Sequence, residues 1–164
     1  MFSEALLVRA DAMLTALRSQ GRMLATAESC TGGLIAALFT EIAGSSDVFE
    51  RGFVTYSNTA KMQMLGVPRD MLDAHGAVSE QVAAAMAQGA LAHSQAQLAV
   101  AVTGIAGPGG GSADKPVGLV YIAAMRAGGA PAVQRHLFGD IGRGAVRLKT
   151  VDAALELLRP LIGA

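Results

Sequence analysis

Hydrophobic positions along the chain follow two patterns, one with helical spacing and one of short runs that are alternating or wholly apolar. Runs rich in β-branched and aromatic residues predict strands. Apolar residues three and four positions apart, preceded by Ser or Pro and closed by Gly, predict helices. The predicted strands lie in 22–27, 51–57, 97–103, 118–126 and 132–138. The predicted helices follow Ser3 to near Gly21, span 31–44 and 59–66, begin at Pro68 and at Ser79, and span 142–161.

The order of these elements indicates the fold class. Helices alternate with the first three strands, which is typical of parallel pairing with helices on both faces of a sheet. The last two strands are separated only by AGGAP (127–131), which favours an antiparallel hairpin. The 164 residues suffice for one domain. We therefore expect an α/β fold, with residues 1–164 forming a single three-layer α/β/α domain around a mixed sheet.

Composition narrows the class of protein. Hydrophobic residues make up 52% of the chain, but no apolar run approaches the roughly 18 residues of a membrane span. Acidic residues near the amino terminus argue against a signal peptide, and a single cysteine suits a reducing cytoplasm. Thirteen basic and thirteen acidic residues balance, which argues against nucleic-acid binding. His75, His93 and His136 lie far apart in sequence, so no metal site is expected.

The segment ATAESCTGG (25–33) places two nucleophiles, Ser29 and Cys30, where a strand meets a helix. A serine at such a corner lies near helix amides that can stabilise an oxyanion. Ala27 and Thr31 replace the glycines of the hydrolase G-x-S-x-G corner. In the alternative interpretation, Ser29 or Thr31 only caps the helix.

A serine nucleophile needs a base, and Lys61 in YSNTAK is the candidate. A buried lysine can lose its charge and accept the serine proton. Lys61 follows the second strand, whose carboxyl end should share a sheet edge with Ser29. The alternative is an ordinary solvated helix lysine. The match of Ser112–Lys115 to S-x-x-K is rejected because it lies in a glycine-rich loop before Pro116.

A glycine-rich loop joins the third and fourth strands within VTGIAGPGGGSADKPVG (102–118). It matches neither the Walker A motif nor the dinucleotide fingerprint. Its amides could line a phosphate or carboxylate site, and a flexible surface loop is the alternative. Arg143 and Arg147, one turn apart at the start of the last helix, are either surface charges or a phosphate clamp.

Taken together, AESCTGG, GSSDVFERGFVTYSNTAKMQMLGV, GAVSEQVAAAMAQGA and VTGIAGPGGGSADKPVGLVYIA resemble the C-terminal domain of the competence/damage-inducible CinA family. Stand-alone members of that family are nicotinamide-nucleotide amidases. The resemblance implies hydrolysis of nicotinamide mononucleotide to nicotinate mononucleotide and ammonia, without metal or cofactor. It also implies a cytoplasmic homodimer.

The resemblance further implies roles for individual residues. Ser29 would be the nucleophile and Lys61 its base. The substrate pocket would be lined by Tyr56, Thr103, Gly104, Gly107, Gly109 and Arg143. The segment after Asp140 carries two residues more than the usual G-D-R spacing of the family. Two rival functions stay open: a non-catalytic nucleotide-binding or regulatory domain, and a thiol enzyme that uses Cys30.

Overall fold

A five-stranded mixed sheet forms the centre of the protein. The computed structural model describes residues 2–163. In chain order the strands are β1 (Leu24–Glu28), β2 (Phe49–Val54), β3 (Leu98–Gly104), β4 (Leu119–Arg126) and β5 (Ala132–Leu137). Their order across the sheet is β2-β1-β3-β4-β5. β1 is parallel to both β2 and β3, while β4 is antiparallel to β3 and β5. The predicted mixed sheet and terminal hairpin are therefore confirmed.

Helices cover both faces of this sheet. They are α1 (Glu4–Ser19), α2 (Leu34–Thr40), α3 (Asn58–Leu65), α4 (Arg69–His75), α5 (Glu80–Ala92) and α6 (Arg143–Ile162), with a 3₁₀ turn at Ser45–Asp47. Serine hydroxyls cap three of the helices by accepting a hydrogen bond from an amide in the first turn. The capping residues are Ser3, Ser57 and Ser79.

The apolar residues of the sheet divide between two cores. On one face, large strand residues pack against α1, α2 and α6. On the other face, strand alanines pack against α5 and the ends of α3 and α4. Successive strand residues point to opposite faces, so each strand contributes to both cores. The result is the predicted three-layer α/β/α arrangement.

The predicted helix over 31–44 is too long at both ends. α2 begins only at Leu34, after Gly33 adopts a left-handed conformation with φ of 98°. The helix ends at Thr40, and Gly44, with φ of 78°, leads into the 3₁₀ turn. Left-handed glycines interrupt a helix because they turn the backbone out of its path. The periodicity identified the helix, but the glycines limit its length.

One close contact joins α3 to α5. Gly89 of α5 faces the end of α3 so closely that a Cβ atom there would collide with the Leu65 carbonyl. The absence of a side chain lets the two helices approach. This contact helps to hold α3, and with it Lys61, against α5. Within residues 2–163, no helix combines the length and apolarity needed to cross a membrane.

Candidate active site

A cavity of about 270 Å³ lies at the sheet edge where the parallel strands end. β1, β2 and β3 run in the same direction, so their carboxyl ends meet at this edge. Ligand sites of open α/β sheets lie at such edges. All eight residues that were predicted for the site line this cavity: Ser29, Tyr56, Lys61, Thr103, Gly104, Gly107, Gly109 and Arg143.

Two side chains that can react, Ser29 and Lys61, are in contact within the cavity. Lys61 Nζ lies 3.0 Å from Ser29 Oγ and 2.8 Å from the carbonyl oxygen of Thr55. The lysine is only 1% exposed. Ser57 caps α3 and places Lys61 one turn into the helix, facing β1. The alternative interpretation of a solvated helix lysine is therefore wrong.

Burial changes the acidity of this lysine. It lowers the pKa of Lys61 from 10.5 to about 8, because the charged form loses hydration. Within residues 2–163, no carboxylate lies within ion-pair distance of Nζ to restore the charge. In the neutral amine, one hydrogen is donated to the Thr55 carbonyl, and the lone pair can accept the hydroxyl proton of Ser29. The geometry is suited to a general base beside a nucleophile.

Glu28, the residue before Ser29, caps α2. Its buried carboxylate accepts hydrogen bonds from the hydroxyl of Thr31 and the amides of Gly33, Ile35 and Ala36, at 2.6 to 3.1 Å. Carboxylates are favourable at helix amino termini, where backbone amides lack partners. Ser29 is therefore not the helix cap, and its hydroxyl is directed to Lys61 instead. An acid just ahead of T-G-G and an apolar run was the signal for this cap.

The Glu28 cap also determines which corner amides remain free. Three amides at the start of α2 bind Glu28, and the Gly32 amide donates to the carbonyl oxygen of Ser29 at 3.0 Å. Cys30 lines the cavity, and among residues 2–163 its amide donates no hydrogen bond to another residue. A buried amide without a partner needs an acceptor. The Thr31 amide also lacks a partner among the described residues, but only Cys30 lines the cavity, so the Cys30 amide is the corner donor available to a ligand there.

The Cys30 side chain belongs to the core rather than to the reactive pair. It is 5% exposed and packs in the cluster beneath α2 and α6. Burial raises the pKa of its thiol to about 11. A thiol with that pKa stays protonated at neutral pH and is a poor nucleophile. This argues against a thiol enzyme.

The glycine-rich loop forms the opposite wall of the cavity. The amides of Ala106, Gly107, Gly109 and Gly110 make no hydrogen bond to any described residue, and all four residues line the cavity. Such a row of free amides is suited to an anionic group. Lys115 anchors the loop by donating to the carbonyl of His75 at the end of α4. Lys115 does not line the cavity. This agrees with the rejection of the S-x-x-K match at Ser112–Lys115.

Two arginines of α6 contact the cavity walls from the third side. Arg143 donates to the carbonyl of Gly107 at 2.9 Å and to the hydroxyl of Tyr56 at 2.6 Å. Arg147, one turn later, donates to the carbonyls of Cys30 and Thr31. Arg143 is exposed and lines the cavity, so it can bind a ligand anion. The two residues after Asp140 do not displace it from this position.

Several lining residues were missed by the sequence analysis. They are Asn58, Ala77 and Val78, whereas Ile105, Ala106 and Gly110 belong to the glycine-rich loop that the sequence had indicated. Thr103 accounts for the positions of Ala77 and Val78. Its hydroxyl donates to the Ala77 carbonyl at 2.8 Å and holds that loop over the cavity. Apolar loop residues give no chemical signal in a sequence. The only sequence signal for Asn58 was its position directly after Ser57, the residue that caps α3.

The histidines play no part in this cavity. None of the three is among its lining residues. His93 Nδ1 lies 2.9 Å from the Gly89 carbonyl, and His136 pairs with Gln134 on the surface. In the part of the chain that the structure describes, no three His, Cys, Asp or Glu side chains come together as metal ligands could.

Comparison with known proteins identifies the family. The family model described as the CinA C-terminal domain matches residues 8–162. This chain belongs to the CinA C-terminal domain family. Nicotinamide-nucleotide amidohydrolase PncC of Escherichia coli K12 is 54% identical over 144 residues, which are 87% of this chain and 86% of that protein. The resemblance inferred from the sequence is thereby confirmed.

Other relatives in the family differ in length and in name. A CinA-like protein of Syntrophobacter fumaroxidans is 52% identical over 87% of this chain, which spans only 33% of that relative. The crystal structure of competence/damage inducible protein CihA from Agrobacterium tumefaciens superposes with a TM-score of 0.96 at 53% identity. That comparison covers 100% of this chain and 99% of the other, and it confirms the fold class.

Proposed function

We propose that this member of the CinA C-terminal domain family hydrolyses the carboxamide of nicotinamide mononucleotide to nicotinate mononucleotide and ammonia. The observation that carries the proposal is the 3.0 Å contact between Ser29 Oγ and the buried amine of Lys61, inside a cavity at the sheet edge. The 54% identity to an amidohydrolase named for nicotinamide nucleotides supplies the substrate class. We further propose that the protein acts in the cytoplasm as a homodimer.

In the first half of the reaction, Ser29 Oγ attacks the carboxamide carbon while neutral Lys61 accepts the hydroxyl proton. The new C–O bond pushes the carbonyl electron pair onto oxygen, which becomes the oxyanion. When that pair returns, the C–N bond breaks and protonated Lys61 donates its proton to the departing nitrogen. Ammonia leaves, and the acyl group remains on Ser29.

In the second half, water attacks the acyl-enzyme. Neutral Lys61 accepts a proton from the water, and the C–O bond to Ser29 breaks after the second oxyanion collapses. The lysine then returns its proton to Ser29 Oγ, which restores the starting state. The cationic pyridinium ring of the substrate withdraws electrons from the acyl carbon and favours both attacks.

The oxyanion needs donors close to the nucleophile. Among the corner residues Cys30–Gly32, Cys30 has an amide without a hydrogen bond to another residue and lines the cavity. The free amide of Ala106 across the cavity can provide a second donor. Removal of one such donor in other enzymes costs about 10²- to 10³-fold in kcat.

The substrate phosphate is assigned to Arg143 and the glycine-rich loop. Arg143 already contacts Gly107 and Tyr56, so its guanidinium is held at the cavity rim. Free amides of the loop, including those of Gly107 and Gly109, lie on the same wall. Charged hydrogen bonds to a phosphate would favour the nucleotide over free nicotinamide, which has no phosphate.

Arg143→Ala should therefore raise KM for nicotinamide mononucleotide by about 10- to 100-fold, with a much smaller change in kcat. Steady-state ammonia release at varied substrate concentration gives both constants. Arg69→Ala is the matched control, since Arg69 is an exposed arginine paired with Asp73 and lies outside the cavity. An unchanged KM in Arg143→Ala would remove this arginine from substrate binding.

The proposal is tested by incubating purified protein with nicotinamide mononucleotide and measuring ammonia and nicotinate mononucleotide. The same assay with free nicotinamide should give no product. Calorimetry on the same samples measures binding. Binding of the nucleotide without ammonia release would favour a regulatory nucleotide-binding domain. Loss of ammonia release in Cys30→Ala but not in Ser29→Ala would instead favour the thiol enzyme.

Chelators should leave the reaction rate unchanged. The proposed steps use only a hydroxyl, an amine and backbone amides, and residues 2–163 hold no cluster of three metal-ligating side chains. Ammonia release is measured before and after dialysis against EDTA. If activity is lost and then returns on addition of a divalent ion, the metal-free mechanism is wrong.

A further inference from the structure

Arg147 has an unusual set of partners for a half-buried arginine. Its Nε donates to the carbonyl oxygen of Cys30 at 3.2 Å, and its Nη2 donates to that of Thr31 at 2.8 Å. No carboxylate of residues 2–163 forms an ion pair with it. The guanidinium therefore places its positive charge on two consecutive peptide groups directly after the nucleophile.

These contacts continue into a chain of peptide groups that leads to the cavity. In a planar trans peptide, the C=O and N–H bonds point in opposite directions. The Thr31 carbonyl that binds Arg147 shares its peptide with the Gly32 amide, which donates to the Ser29 carbonyl at 3.0 Å. The Ser29 carbonyl in turn shares its peptide with the Cys30 amide. The chain thus begins at a cation and ends at a free amide in a cavity-lining residue.

We propose that Arg147 is a positioning residue, which fixes and polarises the Cys30 amide as the donor to the oxyanion. Hydrogen bonds in such a chain strengthen one another, and a cation at the carbonyl end increases the positive charge on the last N–H. The inference rests on the proposed acyl-enzyme mechanism. Arg147 would act by supporting the oxyanion in the transition state. Arg143, one turn earlier on α6, would act by binding the substrate phosphate.

Arg147→Ala should lower kcat for ammonia release by about 10- to 100-fold and change KM less than about threefold, since the affected donor acts mainly in the transition state. The pH at which the rate levels off should stay that of wild type, because Lys61 keeps its partners. Millimolar guanidinium should restore part of the lost kcat by occupying the vacated space. Arg147→Lys, which keeps the cation but lacks the planar fork, should lie between Arg147→Ala and wild type.

Arg126→Ala is the matched control. Arg126 also donates to a backbone carbonyl, that of Leu161, but it does not line the active-site cavity. Its kcat should equal that of wild type, and guanidinium should have no effect on it. Thermal unfolding of each variant identifies the temperature range in which all are folded. If Arg147→Ala does not fold, the Arg147→Lys enzyme provides the kinetic comparison.

A second assay separates this inference from the proposed function. A fluorophosphonate reacts with an activated serine, forming a P–O bond as fluoride leaves, and it needs no nucleotide. Its rate of labelling at Ser29, followed by mass spectrometry, should fall in Arg147→Ala and recover with guanidinium. If wild type is labelled in this way but releases no ammonia, the proposed function is wrong and the role of Arg147 stands.

Three results would overturn the role of Arg147. The first is a variant with wild-type kcat and wild-type labelling rate. The second is an effect confined to KM, which would assign Arg147 to substrate binding. The third is a kcat loss that guanidinium does not reverse in a folded variant, which would indicate a structural role alone.

Discussion

Ser29→Ala is expected to reduce ammonia release from nicotinamide mononucleotide by about 10⁴-fold or more, the scale seen when an enzyme loses its nucleophile. Ser29 Oγ is the only hydroxyl in contact with the Lys61 amine among the described residues. The variant should still fold and bind the nucleotide, because Arg143 and the glycine-rich loop are unchanged. Single-turnover ammonia release measures the chemical step, and calorimetry measures binding.

Cys30→Ala is the matched control for this experiment. It changes the neighbouring nucleophile, whose buried thiol has a pKa of about 11, and leaves the backbone amide in place. We expect it to retain substantial activity, with a modest loss of stability from the smaller side chain. An inactive Cys30→Ala together with an active Ser29→Ala would reverse the assignment of the nucleophile.

Lys61→Ala should be nearly as damaging as Ser29→Ala. In the proposed mechanism the Ser29 and Lys61 side chains act as one unit, so the double variant should be little slower than either single variant. Lys61→Arg should also fail, because a guanidinium stays protonated and cannot accept the serine proton. Single-turnover rates of wild type, Ser29→Ala, Lys61→Ala and the double variant test this non-additivity. Rate losses that multiply in the double variant would mean that the two residues act independently.

The pH dependence follows from the same lysine. The proposed mechanism uses the neutral amine of Lys61, and burial lowers the pKa of this lysine to about 8. Below that pH, kcat/KM should rise about tenfold for each pH unit, and above it the rate should level off. An active Lys61→Arg enzyme with an unchanged pH profile would exclude lysine as the base.

Much of the site was predictable because its residues follow strand ends. Ser29 follows β1, Tyr56 and Lys61 follow β2, and Thr103 lies at the end of β3. Parallel strands bring such positions to one edge whatever their separation in sequence. The fold class was predictable for a related reason, since alternating helices and strands admit few sheet topologies.

The remaining features depend on contacts that no local pattern encodes. Arg147 reaches Cys30 across 117 positions of the chain, and Thr103 reaches Ala77 across 26. The late start of α2 at Leu34 and the unpaired amide of Cys30 depend on which corner amides bind Glu28 and the Ser29 carbonyl. Those partners become known only when the backbone is in place. The sequence therefore suggests Ser29 as the nucleophile, but not the hydrogen bonds that position the residues around it.

The burial of Lys61 has a consequence for folding itself. An unfolded chain holds this lysine with a pKa near 10.5, whereas the folded protein holds it near 8. Between those two pH values the unfolded state binds more protons than the folded state. The free energy of unfolding therefore increases as pH rises from about 8 to about 10.5. Below about pH 8 the amine is protonated in both states, and the folded protein carries the full free-energy cost of a charged, buried amine. The same burial that prepares the base therefore opposes the native state at neutral pH, and the rest of the core must offset it.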